Sequence, residues 1–593
     1  MLGVILVYLI VMKRSLFQLY VVISFSTTSF YAQNFLWAKA ISGVNTGSNI
    51  GTSTGVAVKT DNKGFVYALG SFSNTVDFDP SIGWYPMTSY GNLDVYLAKY
   101  DSLGNFIWVK RFGGYNDDKA FSFTFDRSGN ILVSGTFEVN ADFDPSPSTY
   151  TLNSVSCFDL FTVKLDSNGN FIWAKQIGGY NSQSATFPNS TACDSLKNVY
   201  LAGMFTGVSD FDPGPSVSTS TAPASLTDAF ICKLDSNGIF IWNRVITGNA
   251  SDQAVSLEFD LKDNLLVGGQ FGNNVTFNDG VSNYVFTSGG SSAFILKLNK
   301  NGNFVWQKQI NYAIMKSFTV DRNKNILFAG DFLITVDFDP GPGSYPLTGA
   351  LNTTSFISKL DSAGNFLWAK KLTASNAINN FSIVSDLRSS VLTAGTFSTV
   401  GYLNPATTTY TIGSINHYCP YLSVLDSSGN FAGAKFASSV YPFPFTNYVE
   451  NKCVSVDKVG NAYLTGSYYF ETNFDPGVTN YSLYITAPTN RSNAFIIKYS
   501  PTTTASQTVT AIETNTSSES DINVYPNPSS GFVNINSTKE SLIFIYNSLG
   551  QPVHKTKIFQ GQNKLDLSAI APGIYFVEIR NRDTLKRVKL ILN

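Results

Sequence analysis

Asp-Phe-Asp-Pro is the segment of this sequence best equipped for chemistry. It occurs at 77–80, 142–145, 210–213 and 337–340, with Asn-Phe-Asp-Pro at 473–476. In an extended segment alternate side chains share one side. Asp77 with Asp79, Asp142 with Asp144, Asp210 with Asp212 and Asp337 with Asp339 therefore each offer two carboxylates together. Carbonyls of the Gly/Pro turn that follows would add oxygens for Ca²⁺, a hard ion that takes about six to eight of them. The competing reading makes the first Asp a turn cap and the second an acceptor for nearby amides before a rigid Pro. The loops lack the longer DxDxDG spacing with a distal Glu, which weighs toward the turn. No other cofactor is indicated.

Other chemistry is sparse. Two histidines, His417 and His554, leave little for acid–base work or a His-ligated metal. Gly-Gly at 113–114 and 178–179 is turn chemistry, since no GK[ST] follows. No GxSxG stands in a strand–turn–helix context. A pair of acids for glycoside cleavage is not visible along the chain, although a fold that joins distant segments can assemble one. Cys157, Cys193, Cys232, Cys419 and Cys453 are odd in number and widely spaced, without CxxC. Buried thiols are expected, with a single disulfide as the alternative.

The positioning elements come from repeats. The stretch 166–175, DSNGNFIWAK, returns at 101–110, 235–244, 299–308, 361–370 and 426–435. A second DxxGN stretch lies upstream in each unit, as at 126–130. Alternating apolar residues on either side of DxxGN give two hairpins and so four strands per unit. Asp first and Gly fourth suit a type I turn closed by a G1 bulge. The aromatic or leucine marker of the DFDP element falls at 78, 143, 211, 277, 338, 403 and 474, which counts seven units. Four strands repeated seven times predict an all-β, seven-bladed β-propeller over 34–505. Surplus length between the second and third strands predicts short extra structure there. The last unit runs out after 494–499, and its missing fourth strand stands at 34–39, NFLWAK. That strand is expected to close the ring. Six of seven tryptophans occupy the fourth-strand slot, where packing between blades is the expected role.

Composition narrows the partners. Forty basic and forty-one acidic residues leave a charge of −1, which speaks against nucleic acid or an anionic membrane. Met12 begins a leader: Lys13 and Arg14, an apolar run at 16–25, then a cut after Ala32. Residues 1–33 are assigned to it, with Met12 the expected true start. No other apolar run reaches the roughly 18 residues of a transmembrane helix, so no transmembrane anchor is expected. Residues 506–520 read as a Ser/Thr-rich linker. Residues 521–593 alternate apolar side chains with Gly/Pro turns and predict a small Ig-like β-sandwich of about seven strands.

The motifs GN[FIV]xW, GNxYLxG at 460–466 and DFDPG at 337–341 resemble the SBBP-type β-propeller repeat of secreted bacterial proteins. That resemblance implies architecture and carries no catalytic residues. YPNPSSG at 525–531, LGQ at 549–551 and APGIYFV at 571–577 resemble the type A C-terminal sorting domain of the type IX secretion system of Bacteroidota. This second resemblance implies passage through the outer membrane, engagement of the secretion machinery by 521–593, and a secreted or cell-surface product. The expected function is a non-enzymatic binding or structural propeller with an extracellular glycan or protein ligand. The alternative is a propeller enzyme acting on polysaccharide. Long, variable connections place either site on the DFDP side of the ring.

Overall fold

The computed structural model describes residues 31–592, apart from 180–182, 407–410, 440–449, 476–480, 484–490, 505–523, 526–528, 548–551, 581–584 and isolated residues or pairs. The leader to residue 30 and the proposed linker lie outside the described residues. All described regular structure is β. The chain divides into two compact units, 1–506 and 507–593.

The first unit is a seven-bladed β-propeller. Blade two shows the plan: Lys119–Phe125, Ile131–Phe137, Asp159–Leu165 and Phe171–Gly179 form an antiparallel meander. The first strands of successive blades pack on one another around the whole ring, from Thr52–Thr60 to Glu450–Val456 and back. Each first strand carries a bulge at the same place, between Gly55 and Ala57 in blade one and between Met315 and Ser317 in blade five. Serines beside the bulge stitch neighbours together: Thr191 N donates to Ser122 Oγ, Leu257 N to Ser190 Oγ and Val454 N to Ser382 Oγ.

The DFDP marker is a core anchor. Phe78, Phe143, Phe211, Phe277, Phe338, Leu403 and Phe474 are all fully buried. In blade one Phe78 meets Phe72 and Tyr96 edge-on at 5.4 and 5.0 Å. The same trio recurs as Phe338, Phe332 and Phe356. The extra structure expected between second and third strands is a small hairpin, and its partner was not foreseen. Val208–Asp210 with Thr219–Thr221 pairs to Gly178 and Gly179, the end of the preceding blade's fourth strand. Several blades are therefore six-stranded, the outer two strands lent by the next unit. Loan of a hairpin covers the free edge and ties neighbour to neighbour.

Ring closure follows the sequence expectation. Phe35–Gly43 pairs with Asn493–Tyr499 as the seventh blade's fourth strand. Where other blades turn through DxxGN, this one joins two remote chain segments. Ser500 N donates to Asn34 O at 2.8 Å, and Asn34 N donates to Ser500 Oγ at 2.9 Å. These copy the bonds of a covalent turn, in which Asp101 N donates to Asn105 O and Asn105 N to Asp101 Oδ1.

Both DxxGN turns have the predicted form. Asp166 Oδ1 accepts from Asn168 N and Asn170 N, and Gly169 takes φ +81°. Yet the two sets differ in what presses on them. In the turns between first and second strands the left-handed residue is Gly64, Gly129 or Gly460 but also Lys197, Asp263, Lys324 and Ser389. In the turns between third and fourth strands it is always glycine: 104, 169, 238, 302, 364 and 429. The fourth-strand Trp and Lys of the preceding blade lie against these glycines. A Cβ on Gly302 would sit 2.9 Å from two ring carbons of Trp242, whereas one on Gly129 would meet nothing within 4 Å. Trp37, Trp173 and Trp368 also donate their indole N–H to the Ser carbonyl in the next blade's turn. The tryptophans thus pack blade on blade, as expected. Gly129→Ala is expected to cost about 1–2 kcal/mol of backbone strain. Gly302→Ala adds a rigid clash and is expected to cost roughly twice that in chemical denaturation. Equal costs would mean that the Trp242 contact contributes nothing.

Third-strand lysines complete the junctions. Lys164 Nζ lies 3.1 Å from Asp126 Oδ2 in its own blade and donates to Ser236 O of the next. Lys233 and Lys359 repeat the arrangement, and Lys498 reaches Ser102 O across the closure.

The second unit holds seven described strands in two sheets, Val524–Tyr525, Phe532–Ser537 and Gly561–Asp566 in one, Ser541–Asn547, Pro552–Ile558, Gly573–Arg580 and Leu585–Leu592 in the other. Val533 and Ile535 from one sheet share a core with Ile543, Val577 and Leu590 from the other.

Candidate binding face

Antiparallel order puts all DxxGN turns on one face of the ring and the DFDP hairpins, with the connections into each first strand, on the other. On that second face the DFDP aspartates build the hairpin turns. Asp77 Oδ1 accepts from Asp79 N and Tyr85 N, and Asp79 Oδ1 from Ser81 N. Asp142 and Asp144 repeat this toward Tyr150 and Ser146, and Asp210 and Asp212 toward Ser218 and Gly214. Asp337 and Asp339 do so toward Tyr345 and Gly341. Those bonds hold the Asp337 carboxyl below its ordinary range although burial acts the other way. Among the described residues no group of three or more His, Cys, Asp or Glu gathers that could hold a metal ion. Of the cysteines, Cys193, Cys232 and Cys453 lie wholly or partly inside as expected, but Cys157 is exposed. Its segment precedes a third strand on this face, where the connections run over the surface.

Two acid pairs, invisible along the chain, sit under this face at blade junctions. Asp94, from the third strand of blade one, and Asp118, ahead of the first strand of blade two, flank Gly113 and are essentially unexposed. Asp94 Oδ2 accepts from Tyr90 N, and Asp118 Oδ2 from Gly114 N at 2.6 Å. Oδ1 of each finds no partner. Asp228 and Asp252 flank Gly248 in the same way two blades on. Burial pushes Asp118 up to about 8, with Asp94 and Glu138 adding to it, and Asp94 to about 6 despite Arg111 at 3.7 Å. A proton donor must touch its substrate. These acids are buried, so their charge strains the junction.

The linkage has a definite sign. A carboxyl raised in the folded state binds protons that the unfolded chain has already released. Stability is therefore lost as pH rises from about 4, the unfolded value, to about 8. Asp118→Asn keeps the acceptor for Gly114 N and supplies a donor toward Asp94. It is expected to melt like wild type near pH 4 and to be more stable at pH 8, by an amount on the order of 1–3 kcal/mol. A pH-independent difference would show that Asp118 is ionised throughout.

Open clefts lie on the same face. One of about 350 Å³ runs between Gly178, Gly179 and the hairpin at Asp210, Asp212. Its counterpart of about 430 Å³ lies between Gly113, Gly114 and Asp142. A third, of about 480 Å³, lies at blade five near the axis and is lined by Tyr312, Lys316, Asp331, Leu333, Ile334 and Asn379. Asp331 is buried beneath it, its Oδ1 accepting from Ser355 Oγ and Asn380 N of blade six. Burial raises this carboxyl to about 6, with Lys316 opposing. Sequence reading missed this site, although Asp331 in GDF was a visible departure from the repeat.

Residues 523–593 match the Secretion system C-terminal sorting domain. Over 480 residues the chain is 22% identical to an uncharacterized WD repeat-containing protein, L264, of Acanthamoeba polyphaga mimivirus, covering 67% of this chain and 34% of that one. Over 175 residues it is 27% identical to the regulatory protein FlaEY of Caulobacter vibrioides, covering 30% of this chain and 17% of that one. The chain thus spans a third or less of either relative. A crystal structure of a protein of unknown function from Bacteroides caccae aligns with 58% of this chain and 94% of its own, at 11% identity and a TM-score of 0.26. No described helix is long and apolar enough to cross a membrane. A seven-bladed β-propeller is joined here to a type IX secretion C-terminal sorting domain, and the chain is one exported to the cell surface or the medium.

Proposed function

We propose that this chain is a non-enzymatic binding propeller of SBBP type from a member of the Bacteroidota, delivered through the type IX system and engaging an extracellular ligand on the DFDP face. The supporting observation is the contrast between the two faces. One is paved with short, near-identical hairpins whose aspartates are spent on their own turns. The other carries the long connections and the three clefts, with Tyr115 and Leu333 exposed beside two of them. Rigid scaffolds bind through variable loops. The buried acid pairs weigh against a polysaccharide-cleaving enzyme, which needs two accessible carboxyls. The aspartates of the hairpins are turn residues in this reading, and millimolar calcium is expected to leave the melting temperature unchanged. A leader ending at Ala32 and an Ig-like tail lost after export complete the reading.

The test is a glycan and protein-binding array probed with the purified chain. Leu333→Asp with Tyr115→Asp is expected to abolish the hits, while Leu103→Asp with Val459→Asp on the hairpin face leaves them intact. The reverse result removes the assignment. Hydrolysis of any arrayed polysaccharide restores the enzyme.

A further inference from the structure

Blade five combines three features that each cost stability. In the second strand, the residue between Gly and Phe or Tyr is Ser71, Thr136, Met204, Gln270, Thr396 or Ser467 elsewhere and Asp331 here. A buried carboxyl is costly unless it is fully partnered. Just beyond it Leu333 and Ile334 are 60% and 53% exposed, where blades one and four begin the connection with Ser73-Asn74 and Gly272-Asn273. Tyr312 is held at φ +63° and lies over Gly289 and Gly290, leaving no room for a Cβ on Gly289. An aromatic residue in the left-handed region is a strained outlier. All three features converge on the 480 Å³ cavity. Buried acid, a pair of exposed aliphatics and a strained aromatic residue meet on this one cavity and mark a site rather than a packing accident.

We infer that this cavity binds one neutral pyranose residue of a glycan, stacked against Tyr312 and the aliphatic rim, with its hydroxyls on Asp331 and Asn379. The inference rests on the binding role proposed above and names its ligand class. The cavity volume falls in the range of small-ligand sites. Its wall is apolar, formed by Tyr312, Leu333 and Ile334, and suits the C–H face of a sugar ring. Its floor offers a carboxyl, an amide and the hydroxyl of Thr353 to several hydroxyls at once. An apolar peptide side chain would fill the wall but add no hydrogen bond to the Asp331 carboxyl beyond those from Ser355 Oγ and Asn380 N. An anionic sugar would face Asp331, and a cationic ligand would face Lys316.

The full chain is to be applied to an array of neutral glycans with uronate-bearing and sulfated counterparts, followed by titration of the best neutral hit. Neutral glycans are expected to bind. Tyr312→Ala and Leu333→Asp, both at exposed positions, are each expected to weaken binding at least tenfold with melting unchanged, and Val459→Asp, on the hairpin face, to leave it alone. Failure of every neutral glycan to bind, or a titration indifferent to both changes, overturns the inference. Capture of a protein on this face without any glycan overturns the sugar class and keeps the binding role. Loss of glycan binding only on Leu103→Asp, at the opposite face, removes both.

Discussion

A chain lacking residues 34–40 is expected to lose the propeller's cooperative melting transition and to aggregate. The deletion removes most of a fourth strand whose register runs from Phe35 opposite Tyr499 to Ile41 opposite Ala494. It exposes the ladder edge of Asn493–Tyr499, an apolar strand buried along its length. An open, flat, apolar edge is a template for another chain. Three further links go with it: the paired bonds of Asn34 with Ser500, the Trp37 bond to Ser102 O and the Lys39 stem over Gly104. Several ladder bonds at about 1 kcal/mol each, plus the apolar surface returned to water, exceed about 5 kcal/mol. That is comparable with the whole stability of a typical domain. A deletion of equal length within 506–520 controls for chain shortening. Unchanged melting after loss of 34–40 would mean that the ring is held without its terminal strand.

Much of this architecture is legible along the chain because its signals are local and repeated. DxxGN dictates a turn through its leading Asp or Asn, so thirteen such turns form, four of them with another residue in place of the Gly. The DFDP phenylalanine marks each unit because one anchor position is fully buried in every blade. What stayed hidden depends on the neighbouring blade. The hairpin at 208–210 pairs with a strand some thirty residues upstream, and no alternation within it names that partner. Asp94 and Asp118 are unremarkable singly and meet only through Gly113. Lys164 reads as the outward residue of an alternating strand, yet its ammonium is interior. One clue was present without an obvious reading. Glycine is kept in every turn between third and fourth strands and replaced in four of the others, because only the former carry a Trp or Lys from the blade before.

Asp126→Ala is expected to be the most damaging single substitution on the hairpin face. The side chains of Lys164 and Asp126 are 5% and 0% exposed. Asp126 also accepts from Ser128 N, Asn130 N and Asn130 Nδ2. Burial alone would raise its pKa; the bonds from Asn130 and Lys164 carry it below the ordinary range. A depressed carboxyl contributes stability above its unfolded value near 4, and that contribution is lost as pH falls through the folded value. This is opposite in sign to Asp118, so the propeller is squeezed from both ends of the pH scale. Alanine at 126 leaves a buried ammonium with only Ser236 O, a loss of about 3–5 kcal/mol. Lys164→Met removes the charge with similar volume and leaves the carboxyl its turn bonds, so it is expected to cost less than half as much. Asp235→Ala tests the turn alone, since Asp235 accepts from Asn237 N and Ile239 N in a blade whose lysine pairs with Asp194 instead. If denaturant unfolding shows Asp126→Ala and Asp235→Ala to cost the same, the pairing of Asp126 with Lys164 adds nothing beyond the turn, and the buried ammonium is held well enough by Ser236 O of the next blade.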